Sequence, residues 1–118
     1  MPDQPDLLML RDRLRSFAEE RDWEPFHTPK NLSMALMVEV AELMEHFQWL
    51  TAEQSAELPA ETRQAVSEEL ADCLLYLVRL SDRLGVDLRA AALLKLEKNA
   101  LKYPADRVRG SAKKYSDY

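Results

Sequence analysis

Acids set inside apolar sequence are the feature with chemical content. Glu39 and Glu42 lie three residues apart in LSMALMVEVAELMEHFQWL, and Glu69 and Asp72 lie three apart in EELADCLLYLVRL. On a helix, a spacing of three puts both members on one face. His46 and Trp49 extend the first stripe by further turns, and Tyr76 extends the second. An ionised carboxylate buried without a partner is costly, so such a group is normally protonated or paired. Four of them on adjacent helices make sense when a hard cation sits between them, and Mg²⁺ takes oxygen ligands while keeping several waters. The alternative is that the acids are solvated or bridged to Arg and Lys. Glu45 and Glu68 also compete for membership, and periodicity alone does not decide between Glu68 and Glu69.

Other site chemistries fit less well. A ferritin-like di-iron bundle needs Glu-x-x-His pairs. Here Pro25 separates Glu24 from His27, and Leu43 stands three residues before His46. One cysteine and two histidines disfavour a structural zinc site. Cys73 lies in an apolar run, reads as a core residue and leaves no internal disulfide to form. The only glycines are Gly85 and Gly110, too few for tight hairpins or a glycine-rich phosphate loop. The formal net charge of −5 argues against general affinity for a nucleic acid backbone. The basic residues Arg107, Arg109, Lys113 and Lys114 could place cations near an anionic ligand, or simply form a solvated tail.

The elements that position these acids are helical. With 118 residues the chain is long enough for one modest core. Apolar residues at helical spacing predict helices over 6–23, 31–50, 61–84 and 88–103. Pro25 and Pro29 are expected to interrupt the chain between the first two. Thr51 and Gln54 have capping-box spacing and predict a short turn that Pro59 ends. Gly85 and Asp87 serve as caps around the last junction, and Pro104 ends the last helix. The expected organisation is one helical domain over 1–104 followed by a basic tail over 105–118. The second and third helices are apolar on most of their circumference, which implies burial on more than one side. A four-helix bundle satisfies only one such face, so an obligate oligomer is expected, most simply a two-fold dimer. The alternative is that the first helix and the tail cover the extra surface. No signal peptide or membrane span is visible, so a cytoplasmic protein without a membrane partner is expected.

The chain resembles a known family. Glu39-Val-Ala-Glu42, then 26 residues, then Glu69-Leu-Ala-Asp72 looks like the E-x-x-E…E-x-x-D signature of the MazG-like all-α nucleotide pyrophosphohydrolases. The stretches FAEERDWEPFHTPKNLSMAL, EVAELMEHFQW, EELADCLLYLVRL and VDLRAAALLKLEKNALKYP are similar to the dCTP pyrophosphatase branch, over roughly Phe17 to Tyr115. The resemblance implies an all-α, four-helix MazG-like bundle assembled as a dimer or dimer of dimers. It implies hydrolysis of a nucleoside triphosphate between the α and β phosphates, giving the monophosphate and pyrophosphate. The substrate expected is dCTP or a modified pyrimidine deoxynucleotide, and the role is nucleotide-pool house-cleaning. Mg²⁺ is the expected metal, with Mn²⁺ as a substitute, held by Glu39, Glu42, Glu69 and Asp72. One of these carboxylates, or a neighbour, orients or deprotonates the attacking water.

The resemblance also implies substrate contacts. Lys95 and Asn99 match phosphate-facing positions, and Tyr103, Lys114 and Tyr115 resemble a C-terminal element that closes over the phosphates. Trp23, His27 and Asn31, with Trp49 and Tyr76, are candidates around the base or sugar. The tryptophans could equally be core, and His27 could cap the Pro-flanked loop. Two departures stand out: Leu14 stands where animal members of the branch carry a histidine, which bears on the base, and Lys102 where an arginine is often found, which removes bidentate geometry. The other readings are a pyrophosphatase for a substrate such as phosphoribosyl-ATP, and a non-catalytic helical adaptor with the same fold.

Overall fold

The computed structural model of the chain describes residues 6–112. Among these residues there is no strand. The helices are α1 (Leu7–Glu20), α2 (Pro29–Glu45), α3 (Ala52–Ala56), α4 (Ala60–Arg83), α5 (Leu88–Lys102) and α6 (Ala105–Val108), with a single 3₁₀ turn at Glu24–Phe26. The four expected helices are α1, α2, α4 and α5. The chain is all-α, as the composition implied.

The helix ends differ from expectation for local reasons. Pro29 does not interrupt a helix but begins one. Thr28 caps α2 by accepting from the Asn31 N–H at 3.1 Å, and Pro29 occupies the first helical position, where its missing N–H costs nothing. α2 then stops at Glu45, and residues 46–50 turn, with the Leu50 N–H bonded to the Phe47 carbonyl at 3.0 Å. The Thr51–Gln54 capping box forms as expected and starts α3, but Pro59 caps the start of α4. Asp87 caps α5 by accepting from the Ala90 N–H at 3.0 Å.

α1 ends at Glu20, short of Trp23. The Asp22 N–H bonds the Glu19 carbonyl at 3.1 Å and the Trp23 N–H bonds the Ala18 carbonyl at 2.9 Å. This paired cap needs a left-handed residue between, and Asp22 supplies it at φ 53°. α4 closes in the same manner with Gly85 at φ 69°, its N–H on the Asp82 carbonyl at 3.1 Å and the Val86 N–H on Ser81 at 2.8 Å. The first cap turns the chain so that Trp23 leaves α1 toward α4, and the second ends α4 abruptly.

The chain divides into two compact units, up to Val86 and from Asp87 onward. In the first unit α2 and α1 both pack against α4. Its buried apolar residues are Ala18, Leu32, Val66 and Val78, one or two from each packed helix. Much apolar side chain is left over. Met34, Met37, Val38, Val40 and Met44 on α2, with Leu70, Leu74 and Leu77 on α4, are exposed in the single chain. The second unit carries α5 and α6. None of these helices is long and apolar enough to cross a membrane.

Candidate active site

Where α2 lies on α4, three acids converge. One carboxylate oxygen from each of Glu39, Glu69 and Asp72 lies within 4.8 Å of the other two. Oε2 of Glu39 and Oε2 of Glu69 are buried and have no hydrogen-bond partner. Two orphaned carboxylate oxygens in one cluster are unfavourable unless a proton or a cation joins them. The strain is visible in the titration of Glu39, whose carboxyl is pushed up to about 7, first by burial, then by the Glu69 carboxyl and by the charges of Glu42 and Asp72. Burial, then the charges of Glu39, Glu69 and Asp72, raises the Cys73 thiol, and burial, then Glu39 and Asp72, raises the Tyr76 phenol. Oxygen donors without a thiolate or imidazole among them suit a hard divalent cation.

Glu42 sits beside Glu39 and adds to its repulsion, but it is outside the set of three whose oxygens converge. The competitors are placed elsewhere: Glu45 and Glu68 are both exposed, whereas Glu69 turns a buried oxygen into the cluster. Cys73 is half-buried rather than deep core.

Asp72 also borders a cavity of about 200 Å³. Its apolar walls come from Leu14 and Phe17 on α1, Trp23 after it, Leu32 on α2, and Leu75 and Tyr76 on α4. Its polar groups are His27 and Arg79, with Asp72 and the Tyr76 hydroxyl. An engineered apolar cavity of roughly 150 Å³ admits benzene, so this space is of the size for one six-membered ring. Phe17 meets Trp23 edge-on at 5.8 Å between centroids, and the Trp23 and His27 rings are 6.1 Å apart. Arg21 stacks over Phe17 at 3.6 Å, fixing the outer side of that pair.

Two arginines one turn apart on α4 grip His27. Arg79 Nε donates to His27 Nδ1 at 3.1 Å, and Arg83 Nε donates to the His27 carbonyl at 3.1 Å. Burial, then the charges of Arg79 and Arg83, hold the imidazole below its usual pKa, with Glu24 opposing. Arg79 itself is only 3% exposed, yet its Nη2 has no hydrogen-bond partner and lies 4.0 Å from Glu24.

The structure therefore brings together Glu39, Glu69, Asp72, Tyr76, Trp23 and His27, with Glu42 adjacent. It does not bring Asn31 or Trp49 to the cavity within this chain. The Asn31 amide donates to the Phe26 carbonyl at 2.9 Å and braces the loop. Trp49 is 87% exposed. Lys95, Asn99 and Tyr103 belong to the second unit, on α5 and at its C-terminal end. Lys114 and Tyr115 lie outside the described residues. Sequence reasoning passed over Arg79. Its signal was available: Asp72, Tyr76 and Arg79 stand at i, i+4 and i+7 on one helix face.

Comparison with known proteins identifies the family. The model of the MazG-like family matches residues 34–118. The chain is 49% identical over 117 residues to dCTP pyrophosphatase 1 of Bos taurus, covering 97% of this chain and 69% of that protein. It is 46% identical over 117 residues to dCTP pyrophosphatase 1 of Homo sapiens, covering 97% and 68%. Its structure is similar to that of a pyrophosphatase from Archaeoglobus fulgidus, with a TM-score of 0.79 and 40% identity over 86% of this chain and 94% of the other. The family model takes in α2 and α4, the helices that carry all four acids, and with it this chain belongs to the MazG-like family.

Proposed function

We propose that this protein, a nucleoside triphosphate pyrophosphohydrolase, acts on dCTP or a modified pyrimidine deoxynucleotide, giving the monophosphate and pyrophosphate in nucleotide-pool house-cleaning. The observation that carries the reading is the pair of buried, unpartnered oxygens on Glu39 and Glu69 beside a cavity sized for a single ring. The similarity to dCTP pyrophosphatases supports the choice of base.

In this reading Glu39, Glu69 and Asp72 hold Mg²⁺, for which Mn²⁺ substitutes, and Glu42 completes the acidic set. The cation, when bound, neutralises an anionic triphosphate and acidifies water. To hold the cation Glu39 would have to release its proton, since burial and the neighbouring acids push its carboxyl up to about 7. Glu42 lies one turn along α2, outside the converging three, and one of these four carboxylates, or a neighbour, orients the attacking water. Asp72 borders both the acidic cluster and the ring-sized cavity, so a base seated against Trp23 brings its phosphates toward the acids. Lys95 and Asn99 are four apart on α5, so one helix face carries a cation and an amide suited to an anionic phosphate. The exposed apolar faces of α2 and α4 support a homodimer or dimer of dimers, in which Trp49 is covered. The setting proposed is cytoplasmic.

The test is pyrophosphate release from a panel of canonical and modified (d)NTPs, with and without Mg²⁺. Wild-type protein should release pyrophosphate only with the metal and best from a cytosine deoxynucleotide. Asp72→Asn should lower turnover by at least about 100-fold, the scale of losing a preorganised charged group. Metal-independent turnover, or an Asp72→Asn variant as active as wild type, would overturn the assignment.

A further inference from the structure

A buried arginine that grips a histidine in the wall of a cavity fixes which proton that histidine carries. An arginine Nε–H can only donate. Its bond to His27 Nδ1 therefore makes Nδ1 an acceptor, and the neutral ring carries its proton on Nε2. No hydrogen bond from Nε2 occurs among the described residues, and His27 lines the cavity. Arg79 lines it too, with an Nη2 that is buried, makes no hydrogen bond and lies 4.0 Å from the Glu24 carboxylate. Among the other lining side chains only Asp72 and Tyr76 carry an acceptor oxygen, and Asp72 belongs to the acidic cluster.

We propose that Arg79 is a positioning and specificity-determining residue: it locks His27 as the Nε2–H tautomer, so that the polar end of the cavity offers hydrogen-bond donors and selects a base with an acceptor edge. This rests on the pyrophosphatase reading above and names what that site discriminates. Cytosine carries adjacent acceptors at O2 and N3. Thymine and uracil carry a donor at N3, which would face a donor and leave both unpaired. A buried group left unpaired is what makes such a site reject an analogue. The groups facing the imidazole are all cationic except Glu24, so the ring stays neutral and cannot switch roles by gaining a proton in the working range.

The test has an arm that needs no variant. In ¹⁵N-histidine-labelled wild-type protein, long-range proton–nitrogen correlation should show His27 neutral with its proton on Nε2, the signal being assigned by its absence in His27→Gln. A proton on Nδ1, or an imidazolium at pH 7, overturns the proposal. In the second arm, kcat/KM for dCTP and dTTP are compared in wild type, Arg79→Met and Arg79→Lys. The dCTP preference should fall about tenfold or more in Arg79→Met, mostly through KM, on the scale of a lost buried hydrogen bond. Arg79→Lys keeps the charge but not the fork, so it should lose preference as well. An unchanged dCTP to dTTP ratio in a folded Arg79→Met or Arg79→Lys overturns the proposal. If both variants fail to fold, the wild-type tautomer decides alone. Failure of the pyrophosphatase reading would look different: no nucleotide would be hydrolysed by wild type, whatever the His27 tautomer.

Discussion

Metal binding at the three converging acids should release a proton, and Glu39 sets the pH at which it does so. Its carboxyl titrates at about 7 in the cation-free protein because it is buried against Glu69 and repelled by Glu42 and Asp72. A cation needs the ionised form, so proton and metal compete for the same oxygens. With the value at about 7, Glu39 is ionised in roughly one molecule in ten at pH 6 and roughly nine in ten at pH 8. The apparent affinity for Mg²⁺ should therefore rise about tenfold over that interval, equivalent to ~1.4 kcal/mol. The linked stability has the opposite sign before loading. A carboxyl whose folded value lies above its unfolded one is more protonated in the fold, so the cation-free protein loses stability as pH climbs from about 4.5 through 7. Calorimetric titration with Mg²⁺ at pH 6, in buffers of different ionisation enthalpy, counts the protons released. Close to one proton per ion is expected for wild type and close to none for Glu39→Gln. An affinity that stays flat from pH 6 to 8, or proton release that survives in Glu39→Gln, would refute the coupling.

Three other perturbations have worked directions. Arg15 grips Asp82 through two bonds, one from Nε at 2.8 Å, and holds the Asp82 carboxyl below its usual value. That contribution is full above about pH 3.8 and lost as pH falls through the folded value, so Asp82→Asn should lower the melting temperature at pH 7 and the gap to wild type should shrink as pH falls below 3.8, read by thermal melts across pH. Asp22 sits left-handed at φ 53°, so Asp22→Gly should stabilise by about 0.5–1 kcal/mol, a melting shift of a few degrees; a lower melting temperature would show that its side chain matters more than its backbone. Sedimentation should find wild type at least dimeric, and Met37→Glu, placing a charge on the exposed face of α2, should weaken that assembly; a monomeric, fully active wild type would refute the oligomer.

The sequence was most legible where one physical rule acted alone. Helical periodicity placed α1, α2, α4 and α5, because each has an apolar stripe long enough to outweigh local exceptions. Capping chemistry placed Thr51 and Asp87 for the same reason. It misled where two rules competed. Pro29 read as a breaker, but Thr28 before it offered a cap, and a proline at the first helical turn lacks only an N–H that was unpaired anyway. Trp23 read as helical, but Asp22 took a left-handed cap that is usually a glycine's.

The site divides along the same line. The acids were legible because a carboxylate inside an apolar stripe violates the pattern, and a violation repeated at matching spacing on two helices calls for a shared cause. Between Glu68 and Glu69 the pattern was silent, since neighbouring positions differ by about 100° of helix rotation, and only packing against α2 decides which one turns inward. Arg79 violates the pattern just as strongly, as one cation in LLYLVRL, yet nothing at matching spacing on another helix answers it. Besides Asp82 on its own helix, it meets His27, 52 residues away, in a loop whose path depends on the left-handed cap at Asp22 and the bracing of Asn31. The acidic cluster is therefore written in helix periodicity, and the polar lining of the cavity in loop geometry. That is why the two halves differ in how far sequence alone could reach them, and why Arg79 is where structure adds most to the chemistry.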